Sequence, residues 1–291
     1  MKRITRRRLP NFLLIGAPKC GTTAVHDALA AHPEVFMPVV KEPSWFRPPG
    51  RKVDVDAYTN LFFRGAEHFA HRGEATPWYL YHEPEDILRW FSTAPLVMIS
   101  VRDPVARAWS MHLDQVRVGA ERRPFSEVID AEFAAIERGD LDTIPIAERY
   151  WSCGHYQPRI DAWTTAIGAS RVLLLESDTL EAGGSGWERI AQHLGLESIP
   201  ELVSRSNVAG APRFPTLQRH LSRPRFAPRR VREALRSTPV MASYMRAVEA
   251  IARHNRRETP LPDISTRDAR RLAERYERVA HNDQGSSTHP E

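Results

Sequence analysis

The sequence predicts an α/β protein: a three-layer, doubly wound, mostly parallel sheet, P-loop-containing, with a helical Arg-rich C-terminal part. Three observations lead there. Short, continuously apolar runs alternate with helix-length stretches, as in parallel strands covered on both faces. The first run passes through a glycine-bearing turn directly into a helix. The chain, at 291 residues, has ample material for a sizeable buried core.

The elements follow in order. The first strand is expected over Asn11 to Gly16, and the helix after its turn over Thr22 to Ala31. A weaker strand signal lies near Gly73 to Thr76, before "PWYL". "LVMISV", Leu96 to Val101, and "RVLLL", Arg171 to Leu175, read as buried strands because apolar residues run on without alternation. Helices are expected over Val105 to Gln115, Phe125 to Arg138, Gln157 to Ala166 and Gly186 to Leu194. This strand–helix rhythm is that of right-handed crossover units. After Asn207 the texture becomes Arg-rich helix with scattered prolines, ending in "ARRLAERYERVAHND". No linker-like stretch divides the chain, so residues 1–283 are expected to form one domain and 284–291 a frayed, flexible tail.

Composition excludes several classes. The N-terminus is basic, but only Phe12 to Ile15 follow as an apolar run, whereas a secretory signal needs roughly 7–15 apolar residues and a membrane span about 20. No membrane span and a cytoplasmic location are expected. Cys20 and Cys153 form neither a disulfide framework nor a zinc cluster, and no metal-ligand spacing of His, Cys or acidic residues is evident, so no metal is expected. The formal charge is +5, and lysine occurs only at positions 2, 19, 41 and 52 among 41 basic residues. Two of these four lysines fall in one short region, Lys19 and Lys41.

That region opens with "FLLIGAPKCGTTAVHDAL", Phe12 to Leu29. A glycine turn from a strand into a helix presents backbone N–H groups and the positive end of the helix dipole, which together bind an anion. Gly16 and Gly21 are spaced as in a nucleotide-binding phosphate loop, and Thr22 and Thr23 add hydroxyls. The lysine that should follow Gly21 is missing, and Lys19 stands two residues before it, which argues against an ATP- or GTP-using kinase. Arg-rich segments such as "RHLSRPRFAPRRVREALR" leave open a nucleic-acid binder, but apolar residues at helical spacing favour a solvated amphipathic helix and no nucleic-acid partner.

"IGAPKCGTTAVHDALAAHPEVFMPVVKEPSWF" resembles the opening of sulfotransferases that use 3′-phosphoadenosine 5′-phosphosulfate (PAPS), in the branch of heparan sulfate sulfotransferases and their bacterial relatives. "VRDPVARAWSMH", Val101 to His112, is similar to the same family's 3′-phosphate motif. "GEATPWYL", "CGHYQPRIDAW", "RVLLLESDTL" and "NVAGAPRFPTL" match further family segments in the right order, so the resemblance covers roughly residues 10–280.

The resemblance implies a set of roles. Lys19 and the backbone of Cys20 and Gly21, with Thr22 and Thr23, would wrap the 5′-phosphosulfate. Arg102 and Ser110 would grip the 3′-phosphate, and Arg213 would cap the cofactor. Lys19 would stabilise charge on the leaving group, which is adenosine 3′,5′-bisphosphate. Glu42 in "KEPSWF" matches a catalytic glutamate and would serve as general base for the hydroxyl or amine of a carbohydrate, lipid or secondary-metabolite acceptor. Trp45, Phe46, Trp78 and Tyr79 either line the acceptor pocket, Trp45 and Trp78 being the substrate-binding candidates, or belong to the core, and Lys41 would supply charge to the acceptor site. His112, two residues after Ser110, is a competing base and reads better as a packed histidine.

Two positions depart from the family pattern. Ser44 stands where heparan-modifying relatives often have His, and Ala75 replaces the Lys of their "GEKTP" segment. Both changes remove side chains that help hold an acidic polysaccharide, which makes a smaller acceptor more plausible.

Overall fold

The computed structural model describes residues 8–46, 54–200 and 262–286, together with residues 247 and 251; for 280–286 only the backbone is described. The chain divides into two compact units, Met1–Arg102 with Gln157–Thr259, and Asp103–Tyr156 with Pro260–Glu291.

The first unit is built on a five-stranded sheet in the order β2-β3-β1-β4-β5, every neighbouring pair parallel. The strands are β1 (Phe12–Gly16), β2 (Val35–Phe36), β3 (His71–Ala75), β4 (Leu96–Val101) and β5 (Val172–Glu176). The three apolar runs in the sequence are thus β1, β4 and β5, each within a residue or so of its expected bounds. The weak signal near Gly73 is β3, and the two-residue β2 gave no signal.

Alternation sends neighbouring side chains to opposite faces. Phe12, Leu14, Ala75, Met98 and Leu175 face α1 (Thr22–Ala30) and a later helix, Ser185–Leu194, forming a core with Val25, Leu29, Trp187 and Ile190. Leu13, Ile15, Val97 and Ile99, all fully buried, point the other way. On that side Leu80 of the short 3-10 turn Pro77–Tyr81 lies against Gly16, where a Cβ would stand 2.6 Å from Leu80 Cβ. Three further helices belong to this unit: α2 (Val55–Phe62), α3 (Pro84–Leu88) and one over Gln157–Ile167. Asp54 caps α2 by accepting the Ala57 N–H at 2.9 Å.

At the other end of the strands, the Asn11 side chain bridges the β1–β3 pair. Its amide donates to Ala70 O at 2.7 Å, and its carbonyl accepts the Arg72 N–H at 2.8 Å. Strand β1 is central: the chain crosses from it to edge strand β2 and back to β3 on one side, then to β4 and β5 on the other. The carboxyl ends of β1 and β4 therefore meet at the switch point where ligands of such sheets bind.

The second unit contains α4 (Pro104–Arg117) and α5 (Phe125–Arg138). In chain order α6 (Gln157–Ile167) and α7 (Ser185–Leu194) follow in the first unit, and α8 (Thr266–Ser286) returns to the second. Asp103 caps α4 through the Ala106 N–H at 2.7 Å. Buried Glu132 accepts the Trp151 and Ser152 N–H groups at 2.8 Å each, and buried Arg107 donates to Tyr150 O. Tyr276 of α8 stacks on Trp151, centroids 5.4 Å apart, and donates its hydroxyl to Trp151 O at 2.7 Å. Helix α8 is described through Ser286, and the rest of the tail expected over 284–291 lies outside the described residues. Among the described residues no helix is long and apolar enough to cross a membrane.

Candidate active site

The turn after β1 is held by β4. Ala17 donates its N–H to Ser100 O at 2.5 Å, and the Ser100 hydroxyl donates to Cys20 O. Cys20 is fully buried, so its thiol is enclosed and its backbone forms the loop. Lys19 and Gly21, on either side of it, both have left-handed backbone, φ 71° and 81°. Glycine adopts that region freely, whereas a lysine does so at a cost. Between them Cys20 donates its N–H back to Ala17 O at 3.3 Å and closes the turn.

Helix α1 starts directly after this turn. Gly21 is its N-cap, no side chain caps it, and no acidic residue lies in its first turn. The first N–H groups of a helix have no partner within it, so its positive end is left to attract an anion. Thr22 is buried and Thr23 half-buried within that first turn.

The segment Lys41–Phe46 lies at the carboxyl end of β3, beside β1. Glu42 donates its N–H to Ala75 O at 3.0 Å, and Thr76 donates its own to Leu14 O at 3.0 Å. The segment's N-terminal side is tied to α1: His26 Nε2 donates to Pro38 O at 3.1 Å. Glu42 and Ser44 have left-handed backbone, φ 61° and 51°. Among the described residues, Lys19, Glu42 and Ser44 are the non-glycine residues with positive φ, and all three fall in the two segments singled out by the sequence.

The Glu42 carboxylate is 38% exposed and accepts the Lys41 ammonium at 2.8 Å. The burial expected of a general base is therefore absent at Glu42, because its side chain turns outward to Lys41. Trp45 and Trp78 are half-buried; the Trp45 indole donates to Asp54 O at 3.1 Å and packs near Tyr58 and Phe62. Phe46 and Tyr79 are core residues, almost fully enclosed. Ala75 is buried in the core cluster that includes residues of α1.

Arg102 is exposed and immediately follows β4. Lys19, Glu42 and Arg102 thus share the carboxyl edge of the adjacent strands β1, β3 and β4. Ser110 is half-buried on α4 in the second unit. Arg213 lies outside the described residues. His112 is buried between Trp109, Phe125 and Tyr150, and burial pushes its pKa down. It packs as the sequence suggested.

Sequence reasoning missed Glu74. This carboxyl is fully buried, receives the Tyr58 hydroxyl and, at 2.7 Å, the Thr76 hydroxyl, and burial raises its pKa above the usual carboxylate range. Its one signal was an acidic residue inside an apolar-flanked strand between Gly73 and Ala75.

No family model matches the chain. Rat carbohydrate sulfotransferase 15 is 27% identical over 188 residues, 48% of this chain and 33% of that protein. Human bifunctional heparan sulfate N-deacetylase/N-sulfotransferase 2 is 26% identical over 211 residues, 67% of this chain and 23% of that protein. The chain therefore spans a third or less of the length of these relatives. Among solved structures, a sulfotransferase from Alicyclobacillus acidocaldarius matches with a TM-score of 0.58 at 21% identity, covering 84% of this chain and 96% of that one. The chain is similar to carbohydrate and heparan sulfate sulfotransferases in sequence, and to a bacterial sulfotransferase in fold.

Proposed function

We propose that this chain is a PAPS-dependent sulfotransferase that sulfates a hydroxyl or amine of a carbohydrate, lipid or secondary-metabolite acceptor. The observation that carries the reading is the placement of left-handed Lys19, Glu42 and Ser44 at the carboxyl ends of the central strands. Backbone held in a sparsely populated region marks functional loops. Similarity to named sulfotransferases supports the same reading.

The residues present suit an anionic donor with two charged ends. The uncapped start of α1 offers N–H groups to the phosphosulfate end. Arg102 offers a planar fork of donors to a separate phosphate. When bound, PAPS supplies a sulfuryl group whose bond to the phosphate oxygen breaks as the acceptor's bond to sulfur forms. Lys19 then neutralises charge on the departing phosphate oxygen, and Thr22 and Thr23 hold it. Glu42 takes the acceptor's proton. Lys41, which holds that carboxylate by an ion pair, lies where an acceptor would meet it, and Trp45 and Trp78 supply apolar walls. The acceptor is a small or weakly charged molecule, because Ser44 and Ala75 contribute no cation.

Incubation with sulfur-labelled PAPS and a panel of neutral and acidic saccharides tests this. Labelled product from wild-type protein, absent with Glu42→Gln, is the expected result. No transfer to any acceptor, with no sulfate released from PAPS, would contradict it.

A further inference from the structure

Every second amide of the segment 42–46 is tied to one short stretch, residues 75–79. Glu42 donates to Ala75 O at 3.0 Å, Ser44 to Thr76 Oγ1 at 3.4 Å, and Phe46 to the Tyr79 hydroxyl at 3.1 Å. The Ser44 hydroxyl donates to Glu42 O at 3.2 Å and closes the turn. Two of these three acceptors are side-chain hydroxyls, and one of them binds a buried carboxyl: Thr76 donates to Glu74 Oε1 at 2.7 Å.

A hydroxyl carries one proton and two lone pairs. While Glu74 takes the proton of Thr76, a lone pair of that hydroxyl faces the Ser44 amide. With no acceptor at position 74, the hydroxyl is free to turn its proton elsewhere, and the amide loses its partner. Tyr58 fixes the carboxyl from the far side, so its orientation is set before the segment is reached. Full burial strengthens each bond and makes an unmet one costly.

We infer that Glu74 is the positioning residue of the Lys41–Phe46 segment, and that through Thr76 it fixes the left-handed backbone on which Glu42 stands. Its bearing on catalysis rests on the reading of Glu42 as the base. Glu74 touches no reacting atom in this account. It acts by removing freedom from a strained turn, which otherwise would relax toward ordinary φ values.

Two measurements on the full chain separate the two claims. The first is amide hydrogen exchange of the 41–46 segment, with β1 and β4 as internal references, in wild type, Glu74→Gln and Thr76→Val. Thr76→Val keeps the side-chain shape and removes only the relay hydroxyl, so it serves even where Glu74→Gln folds poorly. Exchange of the segment about tenfold faster in Thr76→Val, with β1 and β4 unchanged, supports the positioning role. Unchanged segment exchange in both variants overturns it. The second is the rate of sulfate release from PAPS, with water as the probe acceptor, alongside the Kd for adenosine 3′,5′-bisphosphate. Thr76→Val should lower the rate while the Kd holds, a split that general destabilisation would not produce. If exchange quickens while sulfate release is indifferent to both Thr76→Val and Glu42→Gln, positioning stands and the general-base reading falls.

Discussion

The Lys41 ammonium lies 2.8 Å from Glu42 Oε1, joining two neighbours on a segment whose backbone is left-handed at Glu42. An exposed pair of this kind contributes only about 0–1 kcal/mol to stability. Its value is therefore in placement. Glu42→Gln should slow sulfuryl transfer by about 10²–10⁴-fold. Lys41→Met should slow it less and raise the acceptor KM. Both should leave the unfolding free energy within about 0.5 kcal/mol of wild type. Steady-state kinetics beside urea unfolding checks all of these.

Gly16 is a packing glycine. A Cβ there would lie 2.6 Å from Leu80 Cβ and 3.1 Å from Pro77 O, within a fully buried layer. Gly16→Ala should destabilise by about 1–3 kcal/mol, since the turn Pro77–Tyr81 must shift to admit the methyl. Because that turn carries Tyr79, the substitution should also loosen the 42–46 segment. Urea unfolding and segment hydrogen exchange measure the two effects.

Two carboxyls should give opposite pH responses. Glu121, bound by Arg123 at 2.6 Å and by two backbone N–H groups, is lowered from 4.5 to about 2. The unfolded chain binds that proton more readily, so Glu121 stabilises above about pH 4.5 and loses this as pH falls toward about 2. Glu74 is raised by burial, so its contribution is fully present below about pH 4.5 and fades as pH rises through its folded value. Relative to wild type, Glu121→Gln should flatten the acid side of the stability profile. Glu74→Gln should flatten the alkaline side instead. Denaturant midpoints across the pH range decide both.

Much of the fold was legible because parallel strands covered on two faces leave unbroken apolar runs, as in "LVMISV" and "RVLLL". Strand β3 was only faintly visible: "HRGEA" is polar, since Arg72 spends its guanidinium on the Leu9 and Phe69 carbonyls and Glu74 is buried among hydroxyls. Helix α2 went unread although Asp54, its cap, and the spacing of Val55, Tyr58, Thr59 and Phe62 were there to find. The glycine loop and "KEPSWF" marked the candidate site through residue type and order. Backbone sign at Lys19, Glu42 and Ser44 was not readable, because nothing in a non-glycine side chain announces a left-handed turn. Glu74 was overlooked because an acidic residue in a strand suggests a solvated face until its hydroxyl partners, Tyr58 and Thr76, are brought to it by the fold.

A PAPS-dependent sulfotransferase must hold, at the carboxyl edge of β1 and β4, a donor charged at both ends. The decisive measurement is calorimetric titration with adenosine 3′,5′-bisphosphate, against ATP and AMP, on wild type, Lys19→Ala and Arg102→Ala. Preferential binding of the bisphosphate, weakened by either substitution, is expected. Preference for ATP, or bisphosphate binding indifferent to Arg102→Ala, would overturn the proposed function.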